Sequence, residues 1–291
     1  MPELPDLAVV AEAFHAALAG RCVTGATTPG ALSVRATPAE VEALVGQRVA
    51  SVRRRGKFLT IELDRDRITV NPMLTGRFQL ASPKRRPSPG TTFVLSFGGS
   101  TGFPADQAAW TRGATWLPDP AEEVEVRYRD PTRMGKVYLL PGGTARSVPG
   151  MAEPDLGPDA DDPGLTVEIW RDRIRRHHGE LKNLLRNQSF VAGIGNAYSD
   201  EILHAARLLP FRKRATLAPE EIDELWAATR STLATAGDVL RARVPPTFET
   251  QVRDFLSVHL KGGSPCPRCG TRISEVKAGG SATSFCRGCQ S

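Results

Sequence analysis

The residues with the most specific chemical pattern are four cysteines within the last 26 positions of the 291-residue chain. Cys266 and Cys269 form one Cys-x-x-Cys pair, and Cys286 and Cys289 form another, with 16 residues between the pairs. Four thiolates at about 2.3 Å complete a tetrahedral shell around one Zn²⁺ ion. Because that shell leaves no open position for a substrate, the spacing predicts one structural zinc and not a catalytic one.

The segment Gly193-Ile-Gly195-Asn196 is a candidate phosphate site, because helical spacing of apolar residues flanks it on both sides. Its glycines let backbone N–H groups approach a ligand closely, and Asn196 stands at the positive end of the following helix. Helix N-termini of this kind bind phosphate. A plain tight connection between two helices would produce the same pattern, so the segment alone leaves both interpretations open.

The distribution of charge favours a polyanion as partner. The chain has 38 Lys and Arg and 32 Asp and Glu, a net charge of +6. Residues 1–164 carry 19 basic and 19 acidic groups, whereas residues 165–291 carry 19 basic and 13 acidic groups. The whole excess therefore belongs to the half with the glycine-rich turn and the cysteine pairs, and clustered Lys and Arg attract phosphates.

A sheet-rich domain with one leading helix is predicted for residues 1–140. Apolar residues recur at helical spacing over residues 5–19, and the helix is expected to end at Gly20. Short β-like runs follow, separated by Gly, Pro and charged turns, and they are compatible with a sandwich or a barrel. The predicted strands are residues 49–52, 58–63, 68–70, 91–97, 124–128 and 137–140.

A second, helical domain is predicted after residues 141–164, which are rich in Gly, Pro and acidic residues and form a linker. The segment between the cysteine pairs alternates and turns at Gly279-Gly280, which is typical of a two-stranded hairpin. We therefore assign a helical domain to residues 165–255 and a zinc finger to residues 256–291, which makes an α+β chain of two domains. The predicted helices are residues 166–187, 196–207 and 219–242.

The cellular compartment is predicted from what the sequence lacks. No run approaches the ~18–20 apolar residues of a membrane helix, and the N-terminus has no basic-then-apolar signal pattern. We therefore expect a cytoplasmic protein without a membrane partner. Because thiols stay reduced in the cytoplasm, metal ligation is favoured over disulfides for the cysteines.

Four motifs together resemble the formamidopyrimidine and endonuclease VIII family of DNA glycosylases. They are MPELP at residues 1–5, Gly56-Lys57, VAGIGNAYSDE at residues 191–201, and the finger that ends Cys289-Gln290. They occur in the family's order and span the chain from end to end. The resemblance implies an N-terminal β-sandwich, a helix–two-turn–helix domain and a zinc finger. Its partner would be double-stranded DNA with a damaged base or an abasic site, and we expect a monomer that acts at the nucleoid.

The resemblance also implies catalytic roles. Removal of Met1 leaves Pro2 with a free secondary amine, which the family uses as nucleophile against C1′ of the damaged nucleotide. The resulting iminium ion expels the base and acidifies the 2′ proton, so base removal and β/δ-elimination follow from one intermediate. Glu3 takes the acid–base role with Asp6 in support, and Lys57 contacts the phosphate beside the lesion. The implied enzyme is a bifunctional DNA-repair glycosylase and abasic-site lyase.

Two segments resemble the family's void-filling loops, with departures. Leu74, in NPMLTG, aligns with the family's methionine wedge, and Met134, in DPTRMG, replaces the family's phenylalanine next to Arg133. Both apolar side chains can fill the gap that an extruded nucleotide leaves. Thr132 stands where the family has the arginine that pairs with the orphan base, so discrimination of the opposite base should be weak or different.

Other departures concern the finger and the substrate. Asn196, the candidate phosphate contact, lies within the motif shared with the family, but Ser281 stands where the family's finger has an arginine, and Lys261 or Lys277 would have to compensate. The segment 241–255 is shorter than the covering loop of members specific for 8-oxoguanine, which argues against efficient removal of that base. Ring-opened purines, oxidised pyrimidines, abasic sites and bulkier lesions remain as substrates.

Two other classes of function remain open at this stage. A protein of the same fold could bind damaged DNA or abasic sites without excision, and the departures at Thr132 and Ser281 are compatible with it. A zinc-ribbon protein that binds structured RNA would explain the charge and the finger but not the Pro2-Glu3 pair. Retention of Pro2, Glu3 and Lys57 favours the enzyme.

Overall fold

The computed structural model of the protein describes residues 1–152, 154–278 and 280–291. The chain forms two compact units. The first contains Met1–Met151 together with Val239–Val252, and the second contains Ala152–Asp238 together with Arg253–Ser291. Within the described residues, no helix combines the length and the apolar character needed to cross a lipid bilayer.

The first unit contains a leading helix, α1 (Leu4–Leu18), a short helix, α2 (Pro38–Glu42), and nine strands in two sheets. One sheet has the order β1-β7-β8-β6 and the other β2-β9-β5-β4-β3, and only the β2–β9 pair is parallel. These sheets confirm the sandwich of the predicted fold class. The strands are β1 (Val23–Thr27), β2 (Val34–Arg35), β3 (Val49–Arg55), β4 (Phe58–Leu63), β5 (Arg67–Asn71), β6 (Arg77–Ala81), β7 (Thr91–Phe97), β8 (Val124–Arg129) and β9 (Lys136–Leu140).

Helix α1 forms where the apolar spacing predicts it. Leu7, Phe14 and Leu18 are completely buried, and Phe14 packs edge-on against Phe78 of β6 with ring centroids 6.2 Å apart. The helix ends just before Gly20, whose φ of 85° is the left-handed conformation that glycine adopts without strain. Burial of α1 on almost every side fixes the position of the residues that precede it.

Three strands and one helix are absent from the sequence prediction. Strands β1, β2 and β6 are short and are interrupted by Gly, Ala, Arg or Gln, so they lack a run of strand-forming residues. They form because neighbouring strands complete their hydrogen bonds, as β7 does for β1. Helix α2 did have a local signal, because Thr37 and Glu40 form a capping box in which each backbone N–H donates to the other side chain.

The second unit is helical and ends in a hairpin, as predicted. The predicted single helix over residues 166–187 is wrong, because the chain breaks at Gly179, which has a φ of 98°. The hairpin pairs Ser274 with Phe285, and its predicted turn at Gly279-Gly280 lies partly outside the described residues, since Gly279 is not among them. The elements are α3 (Val167–Arg175), α4 (Leu181–Arg186), α5 (Asn196–Ala205), α6 (Pro219–Arg243), β10 (Ser274–Ala278) and β11 (Ser281–Phe285). The end of α6, from Val239 on, belongs to the first unit.

Candidate active site and metal centre

Pro2 and Glu3 are both buried at the start of α1. Glu3 is only 3 % exposed, and its backbone N–H donates to Asp6 Oδ2 at 2.8 Å. The Asp6 carboxylate therefore satisfies a donor that the helix terminus leaves without an intrahelical acceptor. Asp6 thus fixes the backbone at Glu3, the residue that follows Pro2.

A cavity in the first unit opens against Pro2. Two polar side chains that the sequence analysis missed meet in it, because Arg77 Nη2 donates to Gln251 Oε1 at 3.0 Å. The amide of Gln251 also donates from Nε2 to the carbonyl oxygen of Met1 at 3.4 Å. No local signal marks a glutamine 250 positions from the N-terminus as part of this site. The cavity is lined by Pro2, Asp6, Leu7, Val10, Arg77, Phe78, Val244, Phe248, Thr250 and Gln251.

Lys57 lies in the two-residue connection between the antiparallel strands β3 and β4. The last residue pair of these strands before the connection is Arg55 with Phe58. Gly56 begins this connection with a φ of 54°, a conformation that favours glycine. The tight connection therefore presents the half-buried Lys57 at the end of the sheet.

Leu74 and Met134 are the exposed apolar side chains of two loops in the first unit. Leu74 is 48 % exposed and Met134 is 44 % exposed, so both side chains are accessible at the surface. Arg133 is also exposed, and its φ of 55° turns the loop just before Met134.

Asp130 joins these two loops. Its carboxylate is completely buried and accepts hydrogen bonds from the Thr75 hydroxyl, from the Thr132 hydroxyl at 3.0 Å and from the Gly135 N–H at 2.7 Å. Burial acts to raise the pKa of Asp130, but hydrogen bonds from Thr75, Gly135 and Thr132 outweigh it and lower the pKa below its ordinary value. The charged carboxylate therefore holds the Leu74 and Met134 loops together.

The four cysteines of the finger converge in the second unit. Their Sγ atoms all lie within 4.8 Å of one another, with Cys266 and Cys289 3.8 Å apart and Cys269 and Cys286 3.4 Å apart. A tetrahedral site with bonds of about 2.3 Å requires sulfur atoms about 3.8 Å apart. The donor set thus fits one Zn²⁺ ion without an open position, and the predicted structural zinc is confirmed.

Zinc binding by these cysteines is coupled to the release of protons from their thiols. Burial raises the pKa of Cys286, and it raises the pKa of Cys289 to about 12. Hydrogen bonds from Thr271 instead lower the pKa of Cys269 to about 6. Since Zn²⁺ binds thiolates, the ion must displace protons from Cys286 and Cys289.

His204 of α5 lies beside the cysteine cluster and was missed in the sequence. Its Nε2 is 3.3 Å from Cys266 Sγ and 3.8 Å from Cys289 Sγ. Burial, and then the charge of Arg268, lower the pKa of His204 to about 4, so the imidazole is neutral at pH 7. A neutral imidazole has one N–H to donate, and a metal-bound thiolate is a suitable acceptor.

Asn196 begins α5, where its side chain ties the helix to the finger. Asn196 Nδ2 donates to the Ala282 carbonyl of β11 at 3.0 Å, and Lys182 Nζ donates to the same oxygen at 3.0 Å. Within the described residues, the buried Oδ1 of Asn196 has no hydrogen-bond partner. Lys261, the other predicted contact to DNA in this unit, donates from Nζ to the Asp254 carbonyl at 3.0 Å.

Acidic residues of α5 hold the start of the finger. The Glu201 carboxylate accepts from three consecutive backbone N–H groups, those of Ser257 at 2.7 Å and of Val258 and His259 at 2.8 Å. Asp200, the preceding residue, contacts His259 Nδ1 at 2.7 Å. Asp200 and Glu201, which end the motif at residues 191–201, therefore hold the finger's first residues in place.

Comparison with known families agrees with this arrangement along the chain. Residues 1–137 match the formamidopyrimidine-DNA glycosylase N-terminal domain, and residues 156–242 match the formamidopyrimidine-DNA glycosylase H2TH domain. Residues 263–291 match the zinc finger found in FPG and IleRS.

Full-length relatives and solved structures give the same result. The formamidopyrimidine-DNA glycosylase of Heliobacterium modesticaldum is 32 % identical to the chain, and the match covers 100 % of both proteins. The formamidopyrimidine-DNA glycosylase of Exiguobacterium sibiricum is 31 % identical, and the match covers 100 % of this chain and 99 % of the relative. The fold is shared with Lactococcus lactis Fpg in complex with abasic-site DNA, at a TM-score of 0.82, 23 % identity and 99 % coverage of both chains. The chain therefore belongs to the formamidopyrimidine-DNA glycosylase family and is a DNA-repair enzyme, a DNA glycosylase with abasic-site lyase activity.

Proposed function

We propose that the Pro2 nitrogen, uncovered by removal of Met1, is the nucleophile that attacks C1′ of the damaged nucleotide. The observation that carries this proposal is the burial of Pro2 at the start of α1, against a cavity that contains polar side chains. The positive end of a helix disfavours further positive charge, so this position favours the uncharged, nucleophilic amine.

Two residues would assist this nucleophile. Glu3 is buried directly beside Pro2, which suits a group that moves protons between the amine and the sugar oxygen. Lys57, at the end of the β3–β4 connection, would contact the phosphate next to the lesion. Because both belong to the same unit as Pro2, the catalytic groups can be assigned to the predicted domain of residues 1–140.

Contacts to duplex DNA would come from both predicted domains. Leu74 and Met134 suit insertion into the gap left by an extruded nucleotide, and Arg133 suits a contact with a phosphate or base edge. In the predicted helical domain of residues 165–255 and its zinc finger of residues 256–291, Asn196 and Lys261 would contact phosphates through their amide and amine groups. We further propose that the protein acts as a monomer at the cytoplasmic nucleoid.

The substrate class proposed here is abasic sites and ring-opened purines. Lactococcus lactis Fpg was solved with abasic-site DNA and with DNA that contains Fapy-dG, at TM-scores of 0.82 and 0.81 to this chain. The short segment 241–255 leaves little chain to cover a flipped 8-oxoguanine, so we expect slower excision of that base.

Borohydride trapping on an abasic-site duplex tests the proposal. The protein with Met1 removed, as verified by intact mass, should form a covalent adduct that Pro2→Gly abolishes and Glu3→Gln slows. Tight binding of the duplex without an adduct would contradict the nucleophilic role of Pro2 and favour a protein that only binds the lesion.

A further inference from the structure

The peptide bond between Met1 and Pro2 shows where a substituent on the Pro2 nitrogen lies. In the chain with Met1 present, the Met1 carbonyl carbon is bonded to that nitrogen. In the proposed intermediate, C1′ of the substrate forms the bond to the same nitrogen. Side chains that contact the carbonyl oxygen of Met1 therefore surround the position of an oxygen on C1′.

Gln251 makes such a contact. Its Nε2 donates to the Met1 carbonyl oxygen at 3.4 Å, and its Oε1 accepts from Arg77 Nη2 at 3.0 Å. A guanidinium only donates hydrogen bonds, so the amide oxygen must face Arg77 and the amide N–H groups must face Met1. Arg77 thereby fixes the orientation of the Gln251 amide.

The position of Gln251 also suits contact with a substrate. Pro2, Arg77 and Gln251 line the same cavity, and the side chain of Gln251 is exposed. Once Met1 has left, the N–H of Gln251 loses its acceptor, and an oxygen on C1′ is the group that would take its place.

We propose that Gln251 is a further catalytic residue, which donates a hydrogen bond to the C1′ oxygen of an abasic-site aldehyde. This inference rests on the proposed role of Pro2. The lone pair of the Pro2 nitrogen forms the bond to C1′ while the C1′=O π pair moves onto the oxygen. The proton that leaves the nitrogen reaches that oxygen through Glu3, which gives a neutral carbinolamine. The N–H of Gln251 stabilises the negative charge that develops on the oxygen during this step.

A second proton then allows the hydroxyl to leave. Glu3, a carboxylate again after the first transfer, takes up a proton from solvent and passes it to the carbinolamine hydroxyl. The hydroxyl leaves as water, the C1′–O bond breaks, and the nitrogen lone pair forms the iminium. The amide of Gln251 is neutral throughout and gains or loses no proton.

Two variants separate the donor role from a role in holding Arg77. Gln251→Glu keeps an oxygen for Arg77 but replaces the N–H donor with an acceptor, whereas Gln251→Met removes both. The maximal single-turnover rate of borohydride trapping at saturating protein should fall about 10²-fold in both variants. Gln107→Glu is the matched control, because Gln107 Oε1 only accepts from Thr111 and a carboxylate can replace it. Its trapping rate should stay that of the wild type.

The outcomes are distinct. Equal loss in the two Gln251 variants, with at most about twofold weaker binding of a tetrahydrofuran site analogue that has no hydroxyl on C1′, would support the donor role. Trapping by Gln251→Glu at the wild-type maximal rate would overturn the donor role. The only role left for Gln251 would then be to hold Arg77. Absence of any adduct with the unaltered protein would overturn the proposed function, and this inference with it.

Discussion

The hydrogen bonds of Thr132 limit how its loop can recognise the base opposite the lesion. Its hydroxyl faces inward, donates to Asp130 at 3.0 Å and lies 2.5 Å from the Thr75 hydroxyl. The family motif has at this position an arginine that pairs with the orphan base. A threonine bound to Asp130 is too short for that contact, so the loop has the proposed void-filling Met134 but no arginine to pair with the orphan base.

Weak discrimination of the opposite base is therefore expected. Cleavage rates of an abasic site opposite A, C, G and T should agree within about threefold, because no bidentate contact separates them. Thr132→Arg should introduce a preference of about fivefold or more. The measurement is single-turnover cleavage of four duplexes, and a strong preference in the wild type would contradict the interpretation.

Asp130→Asn should destabilise the first unit. An amide keeps one acceptor oxygen where the carboxylate has two, so the new amide N–H would face either the Gly135 N–H or the Thr132 N–H. That backbone donor would lose its acceptor, at a cost of about 1–3 kcal/mol at pH 7. Since the folded-state pKa of Asp130 is lowered, its carboxylate stabilises the protein above the unfolded pKa of about 4 and loses this effect as the pH falls through the folded value. Urea unfolding of both proteins from pH 7 to pH 3 should show the difference shrink, and a constant difference would contradict this account.

The long connection between β7 and β8 has little secondary structure but is held in place by hydrogen bonds. Residues 98–123 contain one short 3-10 turn, Ala109–Thr111, yet Arg21 fastens both ends of the connection. The buried Arg21 guanidinium donates to the carbonyls of Gly98 at 3.0 Å, Asp119 at 2.9 Å and Glu122. Its Nε donates to the Ala17 carbonyl of α1 at 2.7 Å, so the connection is attached to the helix that Pro2 and Glu3 precede.

Arg21→Lys should therefore destabilise this unit more than an ordinary conservative change. A lysine has no planar fork, and buried carbonyls would lose their donor, so we expect a loss of about 2–4 kcal/mol in unfolding free energy. Arg112→Lys, at an exposed position of the same connection, should change stability by less than about 0.5 kcal/mol. Urea denaturation of the two variants checks the comparison, and equal effects would show that Arg21 does not fasten the connection.

The zinc finger matters for the molecule as a whole because hydrogen bonds join it to the helices of the second unit. The Ala282 carbonyl of β11 accepts from Asn196 and Lys182, and Glu201 holds the chain that leads into the finger. Loss of the hairpin would therefore also free the proposed phosphate contact at Asn196.

Zinc removal should weaken DNA binding. Chelation or Cys286→Ala is expected to unfold the hairpin, because the metal supplies its folding energy. Zinc release to a chelator should become faster as the pH falls, because protons compete for Cys286 and Cys289, whose thiol pKa values are raised by burial. Zinc content, circular dichroism and duplex binding measured together test this, and unchanged binding after zinc loss would contradict it.

Binding of a duplex should depend steeply on salt. The basic excess of residues 165–291 is expected to displace counterions from DNA, so affinity should fall more than about tenfold between 50 and 200 mM salt. Fluorescence anisotropy with an abasic-site duplex measures the slope. A flat response would mean that this half of the chain does not face DNA.

Several features could be predicted from the sequence because short segments determine them. The cysteine spacing indicated a closed zinc site, and the apolar spacing over residues 5–19 indicated an amphipathic helix that ends at Gly20, where the structure has α1. The runs at Phe58–Leu63 and Thr91–Phe97 became strands with those bounds. Cysteine pairs, helical periodicity and β-branched runs act over a few neighbouring residues, so their outcome depends little on the rest of the chain.

Other features were decided by contacts between distant residues. Strand β1 exists because β7 pairs with it, and Asp130 became a link between loops because Thr75 approaches it from 55 positions away. Gln251 meets Met1 and Arg77 only because residues 239–252 fold onto the first unit. The sequence by itself determined the zinc site, the leading helix and the family. Tertiary structure alone decided which polar side chains surround Pro2, because burial and hydrogen bonding bring together residues that no local pattern relates.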